Sequence, residues 1–479
     1  MTDAPYSRAR ATKNLHRFDM TIAHSVTRSD LSATGRRIIR GTSANAFTQV
    51  VIILVQLLLV PTMAASWGID QYGRWLLLFT IPSYLALSDL GFATAAATKM
   101  TMDVAEGRLD DALRTFQSTI VVVLGISLAV GIAGAVAILV PPNAYFSKDA
   151  SQALEVKGTL LALLIYGLIC LQGSLLQAGF RCSGHYAVGT LLQACLQLVE
   201  GAVALLIVKL GGSIFGVASG YLVTRCILLG GQLLILARLV RWLSFGTKHC
   251  SLADIRQLLH PALAVMALPA AQSLFLQGSA IVLGMTTSPA AVAIFTTVRT
   301  LTRAGVQFTT LVNHALMPEA AAAAALNQTQ KLKKLLYLTL ASSLVVTLPG
   351  AAILLLFGQQ LVELWTAHTV NPTYALVATM TTVMLVNGMW HPLSNLLLAV
   401  NRQATYSYVF LGAVAVSLGI GFFLSRAFGE AGMAMSILLL DLFMLQHVAR
   451  QVWKAFIFIA PPKEAIVNPP LDVTRAAKL

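Results

Sequence analysis

Thr296, Arg299, Arg303, Gln307, Thr310 and His314 recur at steps of three and four inside an apolar stretch. On a helix that spacing makes one polar stripe, with the opposite face apolar. Two arginines one turn apart are costly at membrane depth and must face water, carboxylates or an anion. A phosphate group suits the guanidinium fork. Structural pairing with buried acids is the other reading. Asn387, His391 and Asn395, with Ser394 beside them, repeat the pattern further on. Amides and imidazole both donate and accept, which suits sugar hydroxyls, and would equally serve as an interhelical clamp. Pro392 lacks a backbone donor and should kink its helix, loosening the Gly388 carbonyl.

Two shorter stripes are Asn45, Gln49 and Gln56, and Thr190, Gln193, Gln197 and Glu200. Four stripes in both halves of the chain predict a shared hydrophilic cavity. Charges inside apolar stretches are Asp89, Glu200, Asp441, Arg225, Arg299 and Arg303. They can neutralise one another. Alternatively Asp89, Glu200 or Asp441 could bind a coupling cation or proton. A labelling reagent in the cavity should reach Arg303, Gln307 and Thr310, with Val306 and Leu311 on the protected face. No P-loop is present, since Gly246-Thr-Lys248 lacks the upstream spacing, and no Cys/His cluster has metal-ligand spacing. An enzyme, a cofactor and a nucleic-acid partner are therefore not expected.

These residues need helices that cross a bilayer. The chain has 479 residues, 57% hydrophobic and only 11% charged, with a mean hydropathy of +0.76. A soluble surface needs about 25% charge. Twelve apolar segments are predicted, near 41–66, 75–97, 115–140, 158–180, 186–208, 213–237, 258–284, 289–316, 335–358, 373–400, 406–425 and 432–457. Those at 75–97, 158–180 and 289–316 are less apolar than a lone lipid-facing helix needs and should face other helices or water.

The formal charge of +14 lies mostly in short connections. With the N-terminus inside, 25 of the 33 Lys and Arg fall in inner loops and tails, five in outer loops and three within spans. Both termini are then cytoplasmic. Five of the six tryptophans fall near span ends as interfacial anchors; Trp390 is the exception. The five cysteines have no partner in an outer loop, so no disulfide is expected.

The predicted organisation is a disordered basic tail (1–37), a six-helix bundle (38–237), a cytoplasmic linker with a short amphipathic helix (238–257), a second six-helix bundle (258–457) and a tail (458–479). Ser251 to Asp254 reads as the cap of that short helix. Gln177-Ala-Gly-Phe-Arg181 with Tyr186 resembles Leu398-Ala-Val-Asn-Arg402 with Tyr406, and Gly212 and Gly216 to Ala218 resemble Gly429 and Gly432 to Ala434. Two halves of six spans share one orientation, so their pseudo-twofold axis runs along the membrane normal.

Gln49, Pro61, the run Gly68-Ile-Asp-Gln-Tyr-Gly73-Arg-Trp75 and then Ser88-Asp-Leu-Gly91 resemble the polysaccharide-transporter (Wzx-type) flippases. These belong to the multidrug/oligosaccharidyl-lipid/polysaccharide (MOP) exporter superfamily. Val298-Arg-Thr-Leu301 with Pro318, and the turn after Ala178-Gly-Phe-Arg181, are similar too. The resemblance implies a multi-pass protein of the bacterial inner membrane. It implies transfer of an undecaprenyl-pyrophosphate-linked oligosaccharide to the outer leaflet for exopolysaccharide or O-antigen synthesis. Membrane lipid would surround it, and a polymerase and glycosyltransferases would work beside it. The family's cationic cavity maps onto Arg299 and Arg303. Arg225 aligns to none of the family's motifs; as a buried charge it joins the candidate lining with the stripe residues Gln307, Asn387, His391, Asn395, Asn45 and Gln49. An ion-coupled multidrug or small-molecule antiporter of the same superfamily is the alternative, and it predicts acids dominating the cavity. A major-facilitator transporter fits less well, because Thr98 to Arg108 lacks that fold's loop motif. A polymerase would be expected to carry a large outer loop.

Overall fold

A computed structural model describes residues 28–88, 91–146, 149–325, 328–399 and 403–454. Among these the regular structure is helical and no strand occurs. The helices are α1 (Arg28–Trp67), α2 (Ile69–Leu78), α3 (Thr80–Leu85), α4 (Phe92–Ala105), α5 (Leu109–Leu139), α6 (Ala150–Cys182) and α7 (Tyr186–Lys209). They continue with α8 (Ile214–Leu239), α9 (Leu252–Ser273), α10 (Ser279–Thr286), α11 (Pro289–Ala325), α12 (Thr329–Trp365), α13 (Tyr374–Ala399) and α14 (Gln403–Val452).

Among the described residues each predicted span falls on helix, the second of them interrupted between Leu85 and Phe92. The second is broken into α2, α3 and α4, and a π-turn at Leu274–Gly278 divides the seventh into α9 and α10. The last two spans are one run of helix reversed at Gly429, whose φ of 59° only glycine adopts readily. Eight helices are long and apolar enough to cross a membrane, and the last of these holds both final spans. The three spans that fall short are the broken second and the polar-striped eighth and tenth. The fourth span, α6, is the scaffold of the first half: 61% of its most apolar stretch is buried, against 17% for α5.

The end where α1 begins is termed inner, and the end that carries Trp67 is termed outer. At the outer end one apolar cluster joins both halves, with Val60, Met63 and Trp75 packed against Leu283, Phe295 and Val362. At the inner end there are two clusters. One is built by α4, α5, α6 and α8 with the start of α9, and the other by the second half alone. The halves are therefore sealed together outside, and inside they are joined through α9, which enters both inner clusters. Two glycines make the tightest crossings between the halves. A Cβ on Gly73 would lie 1.8 Å from the Pro289 carbonyl oxygen, and one on Gly91 2.6 Å from that of Ala262. Gly91 also has a φ of +75°. Both belong to the motifs that carry the family resemblance.

The linker departs from expectation in one respect. Ser251 makes no side-chain cap bond, and the helix from Leu252 runs unbroken to Ser273 as part of the seventh span. No separate short helix forms: Ser251 holds the N-cap position as expected, but the helix that starts after it continues into the span. Ser251 N–H donates to Ser118 Oγ at 3.0 Å, and Asp254 pairs with Lys99 at 3.5 Å. Buried Gln117 donates to the Ser244 carbonyl at 3.1 Å and accepts from His249 N–H at 2.8 Å. The linker and the start of α9 are thus docked on the first half.

Candidate functional site

A cavity of about 520 Å³ lies within the second half, closed on one side by α1 of the first. Its walls are α1, α9, α11, α13 and α14. The α11 stripe supplies Arg299, Arg303 and Gln307, α13 supplies Asn387, His391 and Asn395, and α1 supplies Gln49 and Gln56. Asp441 of α14 closes the far wall. The side chains of Thr310 and His314 lie outside the described residues.

The two arginines differ. Arg299 is buried, and its Nη1 donates to the Leu276 carbonyl at 2.8 Å and to Ser279 Oγ at 2.7 Å. The π-turn shifts the helix register so that Leu276 presents its carbonyl to this side chain. Arg303 is exposed to the cavity. Neither has a carboxylate within 4.0 Å among the described residues, and Arg303 makes no hydrogen bond there.

Asp441 is 1% exposed. It accepts from Trp390 Nε1 at 3.1 Å and from Asn387 Nδ2 at 3.4 Å. Trp390, out of place as an interfacial anchor, is thus a cavity residue, and its irregular position in the span was the available signal. Pro392 frees the Gly388 carbonyl as expected, and Ser343 Oγ of α12 donates to it.

Not every sequence candidate reaches the cavity. Arg225 and Glu200 form a closed pair in the first half. Arg225 Nε lies 2.7 Å from Glu200 Oε1, and Nη2 donates to Glu200 Oε2 at 2.8 Å and to Tyr166 OH at 2.9 Å. Asn45 accepts from Tyr186 OH at 3.1 Å near the inner end. The fifth-span stripe of Thr190, Gln193 and Gln197 lines neither this cavity nor the second one beside it. Asp89 lies outside the described residues. Val306, expected on the protected face, lines the cavity, because α11 is walled on more than a third of its circumference. Gln272 and Phe410 also line it and stood in no stripe.

The second cavity, of about 310 Å³, lies on the outer side of the arginines. It shares Gln56, Leu276, Arg299, Arg303 and Gln307 with the first. Its outer wall is aromatic: Tyr72, Trp75, Phe79 and Tyr221.

A twelve-span helical bundle in two halves, with a polar cavity walled by the second half and α1, defines a membrane transporter. Residues 38–324 match the family model described as "Polysaccharide biosynthesis protein". That is more than half the chain, and the protein belongs to this family. Its fold is that of the MOP superfamily. An inward-facing multidrug-resistance MATE transporter of that superfamily superposes with a TM-score of 0.69 at 13% identity, covering 85% of this chain and 96% of the other. An outward-facing MATE transporter gives 0.56 at 12%, covering 86% and 95%. A MOP-superfamily transporter from Pyrococcus furiosus, described as having a binding pocket of reverse polarity, gives 0.59 at 14%, covering 87% and 95%. No curated protein sequence matches the chain.

Proposed function

We propose that the protein carries an oligosaccharide linked to a polyprenyl pyrophosphate from the inner to the outer leaflet of the bacterial inner membrane. Both termini are then cytoplasmic, and the cavity described above faces the cytoplasm. The observation that carries this reading is Arg303, exposed in the cavity with no carboxylate within 4.0 Å among the described residues. A bare guanidinium at membrane depth is expensive, and an anionic ligand repays that cost. Sugar hydroxyls that leave water need hydrogen-bond partners, which Asn387, His391, Asn395 and Gln49 can supply.

The halves offer a simple transport cycle. They are sealed by the outer apolar cluster and joined inside through α9, so breaking the outer seal and closing the two inner clusters on each other would turn the site outward. Two phosphate charges moving outward follow an inside-negative potential and gain about 4–5 kcal/mol per 100 mV. An antiporter reading draws on Asp441, the carboxylate in the cavity wall. Against it, the arginines outnumber that acid at the cavity's centre.

The test is export of the polysaccharide in a strain that depends on this gene, with protein level measured in parallel. Arg303→Ala should abolish export at normal abundance, and Arg303→Lys should retain part of it, since an ammonium binds phosphate without the fork. Arg299→Ala should lower both export and abundance, because Leu276 and Ser279 lose a partner. Normal export from a stably expressed Arg299→Ala/Arg303→Ala double variant would falsify the proposal.

A further inference from the structure

The second cavity has a lining unlike the first. Trp75 and Tyr221 lie nearly parallel with ring centroids 6.0 Å apart, and Phe79 packs on both at 5.1 and 5.6 Å. The wall is braced from behind, since Tyr166 packs on Tyr221 and Phe79 and is itself held by Arg225. On the other side are polar atoms without partners. Thr296 Oγ1 and Gln307 Oε1 are both buried, and neither has a hydrogen bond. Buried polar atoms are normally paired, and each one left open costs free energy that a ligand would recover. Between wall and orphans stand Arg299 and Arg303, shared with the larger cavity.

A pyranose ring has one such surface of each kind. Its C–H faces are apolar and pack flat against aromatic rings, and its rim of hydroxyls needs donors and acceptors. The cavity's 310 Å³ is at the lower end of the range for small-molecule pockets, which suits one ring rather than a repeat unit. A diphosphate held by the arginines places its attached sugar within reach of this cavity. We propose, resting on the flippase reading, that the cavity bounded by Tyr72, Trp75, Phe79, Tyr221, Thr296 and Gln307 is a subsite for the sugar joined directly to the diphosphate, with later sugars turning back into the larger inner cavity. Specificity for the first sugar resides here, in a wall contributed mainly by the first half, and anion binding resides on α11.

The test separates the two readings by ligand. The purified full-length protein is titrated with undecaprenyl pyrophosphate and with the same lipid bearing one hexose on its diphosphate. The wild type should prefer the glycosylated lipid by about tenfold or more. Trp75→Ala should erase most of that preference. Thr296→Val, which keeps the side-chain shape and so the fold, should reduce it by about threefold. Equal binding of the two lipids by the wild type, or an undiminished preference in Thr296→Val, would overturn the subsite while leaving the flippase reading intact. Failure of the wild type to bind either lipid would overturn both. If Trp75→Ala does not fold, Phe79→Leu takes its place with the same expected direction.

Discussion

The two halves bury charge in opposite ways. In the first half Arg225 and Glu200 pair through two short contacts, a hydrogen bond from Nη2 and an ion-pair contact at Nε, and Tyr166 accepts from the same Nη2. In the second half Arg299 leans on a carbonyl and a hydroxyl, Arg303 is bare, and Asp441 takes its hydrogen bonds from Trp390 and Asn387. From sequence alone both look like polar residues in helical register on an apolar background. The difference is whether a carboxylate lies within reach of the guanidinium. A closed pair has spent its electrostatics on folding, whereas a bare cation keeps them for a ligand.

The largest effect should come from opening the closed pair. Glu200→Ala leaves Arg225 charged and buried without a carboxylate, which costs about 3–5 kcal/mol. Abundance and thermal stability should both fall sharply, and purified protein should melt at a lower temperature. Replacing both residues at once, as Glu200→Met/Arg225→Met, should recover most of the loss, because two apolar side chains leave no orphan charge. If the double variant were as unstable as the single one, the pair would not be the self-contained unit described here. In the second half the same kind of change should behave differently, with Arg303→Ala sparing stability and removing transport.

Much of the fold could be read before the structure was known. Among the described residues the twelve apolar segments fall on helix, because bilayer length and hydropathy fix them with little help from tertiary contacts. The α11 and α13 stripes were legible for the same reason: a polar residue at membrane depth must face something. What it faces was not legible. The stripe holding Glu200 and the stripe holding Gln49 carry similar spacing, yet one is closed by a partner on α8 and the other opens on the cavity. The aromatic wall left no periodic signal. Trp75 read as an interfacial anchor, and only packing against Tyr221 and Phe79 turns it inward. The π-turn that presents Leu276 to Arg299 is likewise a product of packing, since its residues Leu274 to Gly278 carry no distinct pattern.

Asp441 offers the smallest and sharpest test of the contrast. It shares a cavity with Arg303, so a closed-pair view would make Asp441→Asn as damaging as Glu200→Ala. No contact within 4.0 Å joins them, however, and the carboxylate already accepts from Trp390 and Asn387. An asparagine keeps an oxygen for Trp390 Nε1–H, and the Asn387 amide can turn to offer its own oxygen to the new amino group. Stability should therefore change by less than about 1 kcal/mol. Removing a negative charge from the cavity should also strengthen binding of an anionic diphosphate lipid by a few-fold, through reduced repulsion across the cavity. Titration of the purified variant with undecaprenyl pyrophosphate, alongside a melting curve, reads both quantities. Weaker binding together with a large loss of stability would mean that Asp441 and Arg303 are a structural pair after all, and the two halves would then bury their charges alike.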